Sequence, residues 1–78
     1  MNQTFRVMLN SINDVKTFVN AAARCPYDID VVSGKYKIDG KSLMGIFSLN
    51  LDNPIEIVIA DGIDTSEFRE TLASYILK

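Results

Sequence analysis

The sequence predicts an α+β open-faced sandwich: a four-stranded antiparallel sheet with three helices on one face, in the order β-α-β-β-α-β-α. Three observations carry this prediction. Four short stretches alternate apolar and polar residues with period two, as strands with one dry and one wet face do. Two longer stretches repeat apolar residues at helical spacing and so need a sheet to cover. Turn signals, Ser33-Gly34, Asp39-Gly40, Asn53-Pro54 and Asp61-Gly62, separate these stretches.

Phe5, Val7 and Leu9 alternate with Arg6 and Met8, giving a first strand over 5–9. "NSIND" follows, and Ser11 or Asn13 can cap a helix by accepting from its free N–H groups. That helix runs to about Arg24 with Ile12, Val15, Phe18, Val19 and Ala22 on its apolar face. Pro26 disfavours helical geometry at Cys25 and helps to stop it. Tyr27, Ile29 and Val31 form one face of a second strand; Tyr36 and Ile38 form one face of a third, and the two make a hairpin. "KSLMGIFSL" is too short for an ordinary core helix and too apolar for a loop, and is predicted as a short helix near Ser42 to Ser48. Ile55, Ile57 and Ile59 line a fourth strand. Asp64 or Thr65 then caps a last helix carrying Phe68, Leu72, Tyr75 and Ile76.

Seventy-eight residues make one domain spanning 1–78. A domain of this size buries only roughly 60–65 % of its unfolded surface, which leaves little core for a deep cofactor pocket. The hydrophobic fraction of 47 % and net charge of −2 fit a soluble globular domain and argue against a nucleic-acid binder, which needs a basic stripe. Cys25 has no partner for an intrachain disulfide, as suits a reducing cytoplasm. No leader peptide and no membrane span is expected, since no window approaches 18 apolar residues. The chain contains no histidine.

The candidate metal and nucleotide motifs are weak. Asp28 and Asp30 share the wet face of one strand, so with Asp39 they read as solvated charges; no metal or cofactor is expected. Lys35, Lys37 and Lys41 read as a solvent-facing basic strip, and Cys25 as a small buried apolar residue. "SGK" lacks the glycine-rich frame of a phosphate-binding loop and is read as the hairpin turn.

"KSLMGIFSL", Lys41 to Leu49, resembles the Lys-Ser-Ile-Met-Gly-Val-Met-Ser-Leu segment of the histidine-containing phosphocarrier protein (HPr) family of the bacterial sugar phosphotransferase system. The element order is similar too, and "ADGID", Ala60 to Asp64, looks like the family's turn before its final helix. The resemblance implies an HPr-like fold over nearly the whole chain. It also implies a departure. Counted back from Lys41-Ser42, the family's His-Ala-Arg-Pro carrier run falls on Ser11-Ile12-Asn13-Asp14, so Ser11 stands for the histidine, Asn13 for the arginine and Asp14 for the proline.

Serine needs a base to become nucleophilic, and its phosphate ester is a low-energy dead end for a relay. Asn13 supplies no cation for a phosphoryl group, and Asp14 adds a negative charge. The carrier positions Ser11, Asn13 and Asp14 are therefore expected to be vestigial. Ser42 reads as a helix N-cap and, through the resemblance, as a regulatory phosphosite for a serine kinase. Leu43, Met44 and Phe47 read either as core or as an exposed partner-docking patch, because small monomers rarely leave such clusters bare. The expectation is a cytoplasmic, bacterial-type protein that is not an enzyme: a degenerate family member acting as an interaction or regulatory module. Its partners would be phosphotransferase-system enzymes, a serine kinase or a transcriptional regulator, with no nucleic acid and no membrane. Two alternatives stand beside this: a small-ligand-sensing α+β domain, and a phosphorelay component using Asp14 or Ser11.

Overall fold

The computed structural model describes residues 2–49 and 51–77. The chain runs β1 (Asn2–Val7), α1 (Ile12–Ala23), β2 (Asp30–Ser33), β3 (Tyr36–Asp39), α2 (Leu43–Phe47), β4 (Ile55–Ala60) and α3 (Ser66–Thr71). The strands form an antiparallel sheet in the order β1-β4-β2-β3. Register puts Phe5, Ile57, Val31 and Ile38 in one cross-sheet row on the face toward the helices. This is the α+β open-faced sandwich that the alternating strands predict.

The core lies between that face and the helices. Val7, Val31, Ile55, Ile57 and Ile59 rise from the sheet to meet Val15, Phe18 and Ala22 of α1, Ile46 of α2 and Phe68 and Leu72 near the chain's end. Each fully buried Ile or Phe contributes about 1.5–3 kcal/mol relative to exposure. Phe68 sits edge-on to Phe5 at 6.3 Å and tilted against Phe18 at 5.9 Å, which joins α3 to both sheet and α1. A polar clasp closes the same corner. Gln3 donates to the carbonyls of Ala60 and Ile63 and accepts from Thr65 Oγ1 at 3.0 Å, while the Arg69 guanidinium lies 4.3 Å over the Phe5 ring.

Several elements differ from expectation, each for a physical reason. β1 is shifted to Asn2–Val7 because its partner ends there: Val7 pairs with Ile55, and Pro54 before it has no N–H to extend the ladder. Leu9 is still buried, beyond the strand. Ile12, expected in the core, is 63 % exposed, because α1 turns toward the sheet along Val15, Phe18, Ala21 and Ala22 and leaves its first turn overhanging. β2 begins at Asp30 rather than Tyr27; the carbonyl of Ile29 accepts from Gly40 N at 2.7 Å. A Cβ on Gly40 would stand 2.8 Å from Ile29 Cγ2, so only glycine permits that approach. Tyr36 is 68 % exposed at the open end of the sheet, whereas Ile38 is partly buried.

α3 ends at Thr71, so Tyr75 and Ile76 are not helical. Their segment folds back against the free edge of β1: Met8 N donates to Tyr75 O at 2.9 Å, Leu77 N to Arg6 O at 2.9 Å, and Val7 bridges Ile76. An edge strand's unpaired backbone groups satisfy the tail better than a further helical turn would.

Candidate functional site

The residues singled out from the sequence gather at two helix mouths. At the first, Ser11 is the N-cap of α1, in extended geometry, and its Oγ accepts from Asp14 N at 3.1 Å. Asp14 answers in the other direction, its Oδ2 accepting from Asn10 N at 2.9 Å. The two side chains thus satisfy backbone donors reciprocally, as in a capping box. Asn13 is exposed, and its carbonyl accepts from Thr17 Oγ1 at 2.9 Å. The only charge this run contributes is the carboxylate of Asp14, which suits the positive end of the helix dipole and opposes an arriving phosphoryl group.

At the second mouth Ser42 caps α2, its Oγ accepting from Gly45 N at 3.1 Å. Gly45 is required by packing. A Cβ there would stand 2.6 Å from Ile38 Cγ2 and 3.0 Å from Ser42 Oγ, so the helix could not lie as it does on β3. With that face seated, Ile46 is fully buried and Leu43 is half-buried against the core. Met44 is 79 % exposed and Phe47 39 % exposed. The three proposed docking residues therefore split, Met44 and Phe47 toward solvent and Leu43 mostly inward. Ile12 adds an exposed apolar side chain at the start of α1, the helix packed beside α2. Sequence periodicity could not single it out, since its spacing fits the buried face.

The lysines do not form one solvent-facing strip. Lys41 Nζ donates to Cys25 O at 3.0 Å, just past the C-terminal end of α1, where a cation complements the helix dipole. Its own N–H donates to Asp39 Oδ1 at 2.9 Å. Lys37 pairs with Asp30 at 3.4 Å across an exposed surface. Among the described residues no group of acids, cysteines or histidines is placed to hold a metal ion, and no helix is long and apolar enough to cross a membrane.

A cleft of about 310 Å³ opens at the far end of α1, lined in part by Arg24, Cys25, Tyr27, Asp64, Glu67 and Phe68. No sequence signal marked it, because its walls come from segments about 40 residues apart. Cys25 is half-buried rather than core, with Sγ donating to Ala21 O at 3.4 Å. Burial, then a hydrogen-bond contact with Cys25, then the charges of Cys25, Asp64 and Glu67 push the Tyr27 phenol up to about 12. The Asp64 carboxyl is held below the usual range by the Ser66 hydroxyl and N–H, donated at 2.6 and 3.0 Å. Asp64 thereby does the capping work at α3, while Thr65, at the N-cap position, turns its hydroxyl to Gln3 instead.

The family model described as the PTS HPr component phosphorylation site matches residues 13–78. No curated protein and no solved structure matches the chain. The matched stretch begins at Asn13, so it takes in α2 with its mouth and leaves Ser11 outside. A match over most of the chain, on a fold whose strand and helix order is the one that family implies, establishes that the chain belongs to the HPr family of phosphocarrier-like proteins.

Proposed function

We propose that this HPr-family chain does not relay phosphate on a histidine, and acts instead as a non-enzymatic interaction or regulatory module of sugar phosphotransferase or carbon-regulation type. The observation that carries the reading is chemical: the sequence contains no histidine, and the Ser11 hydroxyl and Asp14 carboxylate at the mouth of α1 are committed to capping. A carrier needs a nucleophile that accepts a phosphoryl group and releases it again. Ser11 has no imidazole to take its proton, and Asn13 offers no guanidinium to the phosphoryl oxygens.

Docking is assigned to α2, through Met44 and Phe47 with Leu43 behind them. Exposed Met and Phe on a capped helix suit an adaptable apolar contact. The partners that fit are phosphotransferase-system enzymes or a transcriptional regulator in a bacterial cytoplasm. Ser42 is the candidate regulatory phosphosite. A phosphate there would sit at a helix start with no acidic residue in its first turn, on the oxygen that accepts from Gly45 N.

The test measures binding and transfer separately. The chain, titrated with the first enzyme of the phosphotransferase system, is expected to bind, and Met44→Asp with Phe47→Asp to abolish binding without unfolding the protein. Ser11→His alone is expected to restore little phosphate acceptance, because Asn13 leaves the phosphoryl oxygens without a cation. Ser11→His with Asn13→Arg is expected to restore measurable acceptance. Binding that survives both charge substitutions would remove α2 as the docking element.

A further inference from the structure

The cleft at the far end of α1 lies about 18 Å from Ser11 by the rise of a 12-residue helix, and so is separate from the mouth of α1. Its volume of about 310 Å³ stands at the lower end of ordinary small-molecule sites, the size of one small metabolite. Phe68, 3 % exposed, closes its apolar floor. The charges on its walls are opposed. Arg24 stands on the α1 side; Asp64 and Glu67 stand on the α3 side, close enough to act on the Tyr27 hydroxyl. Asp64 is committed to Ser66. The side chains of Arg24 and Glu67 form no ion pair or hydrogen bond among the described residues, so the cleft holds an open cation and an open anion that do not neutralise each other.

We propose that this cleft binds a free α-amino acid with an apolar side chain, its carboxylate on Arg24, its ammonium on Glu67 and its side chain over Phe68. Charge complementarity selects this class. A simple amine would meet Arg24, and a simple carboxylate or a phosphate ester would meet Asp64 and Glu67; only a small zwitterion satisfies both walls at once. The apolar floor selects against glycine. Cys25 and the Tyr27 phenol complete the wall between the charges.

The full chain is titrated by two-dimensional NMR with L-leucine and L-phenylalanine, and in parallel with glycine, 3-methylbutylamine and 4-methylpentanoate. The expected result is a saturable shift of Tyr27, Phe68 and Arg24 signals by at least one of the two amino acids, with Kd of about 1 mM or tighter. The amine and acid analogues, each lacking one charge, are expected to bind at least about tenfold more weakly. Arg24→Gln and Glu67→Gln are each expected to weaken binding by about tenfold while leaving the melting temperature in place, since both side chains are exposed. The proposal is overturned if neither amino acid gives a saturable shift, if either analogue binds as tightly as the tighter-binding amino acid, or if both variants bind as the unmodified chain does. None of these outcomes bears on docking through α2, which is read by a different titration.

Discussion

The mouths of α1 and α2 share a local geometry and differ in what they present to a partner. Each begins with an extended serine whose hydroxyl accepts from the N–H three residues on, at 3.1 Å in both. In α1 the third residue is Asp14, whose carboxylate turns back to Asn10 N and closes the mouth with the chain's own polar groups. In α2 the third residue is Gly45, which adds no polar group but lets the helix press onto Ile38 of β3. That seating turns Ile46 inward and leaves Met44 and Phe47 outside. A serine at a helix mouth therefore says little about chemistry by itself. What sits three residues later decides whether the mouth is sealed or whether a neighbouring surface is offered.

The largest expected effect separates neighbouring residues of α2. Ile46→Ala should lower unfolding free energy by about 2–4 kcal/mol in urea denaturation, a large share of roughly 4–12 kcal/mol for a chain of this size. Met44→Ala, two residues earlier on the exposed side, should cost less than about 0.5 kcal/mol. Equal losses would mean that α2 does not divide into an inner and an outer face. Next comes Gly45→Ala. A helix-favouring substitution worth up to about 1 kcal/mol should here give a net loss of about 1–2 kcal/mol, because the new Cβ meets Ile38 and crowds the Ser42 cap. A more stable variant would show that α2 is loosely seated.

Removing either cap should cost about 1 kcal/mol, Ser11→Ala and Ser42→Ala alike, if both serines are anchored as their distances indicate. A negligible loss at Ser11 would leave its hydroxyl free for other chemistry and weaken the contrast between the mouths. Phe47→Asp should move stability by about 1 kcal/mol or less, since its ring is partly in solvent; unfolding of this variant would make Phe47 core and end the docking assignment. At neutral pH the smallest effect is that of Tyr27. Its folded pKa of about 12 lies above the ordinary value of 10.0, so above pH 10 the unfolded chain loses a proton that the folded chain keeps, and stability falls as pH rises from 10 to 12. Tyr27→Phe should flatten that decline in a pH series of thermal melts, and an unchanged slope would place its cause elsewhere.

Much of the fold was legible because its signals are local. Ile55, Ile57 and Ile59 alternate and are all buried, and Ser11 and Ser42 cap the helices they precede. What was not legible depends on partners distant in the chain. β1 stops where Pro54 precedes the opposing strand, and Tyr75 and Ile76 leave helical geometry because β1 has a free edge. Ile12 fits a helical stripe that the sheet does not reach. At the site, the polar residues were found by motif, but their engagement was not: Lys41 reaching Cys25 O and Asp14 reaching Asn10 N are set by where the backbone returns. The cleft beside Tyr27 had no sequence signature at all, since Arg24 and Glu67 come to line one cleft only when α3 packs on α1.

The contrast between a sealed mouth and an open helix face rests most directly on one assay. The chain is incubated with labelled phosphoenolpyruvate and the first enzyme of the phosphotransferase system, and acid-labile phosphate on it is counted against a histidine-bearing family member. A chain without imidazole, with Ser11 and Asp14 already bonded to backbone, is predicted to take up none. Label on Ser11, Asp14 or any other residue, transferable onward, would contradict the account and make this chain a working carrier by another acceptor.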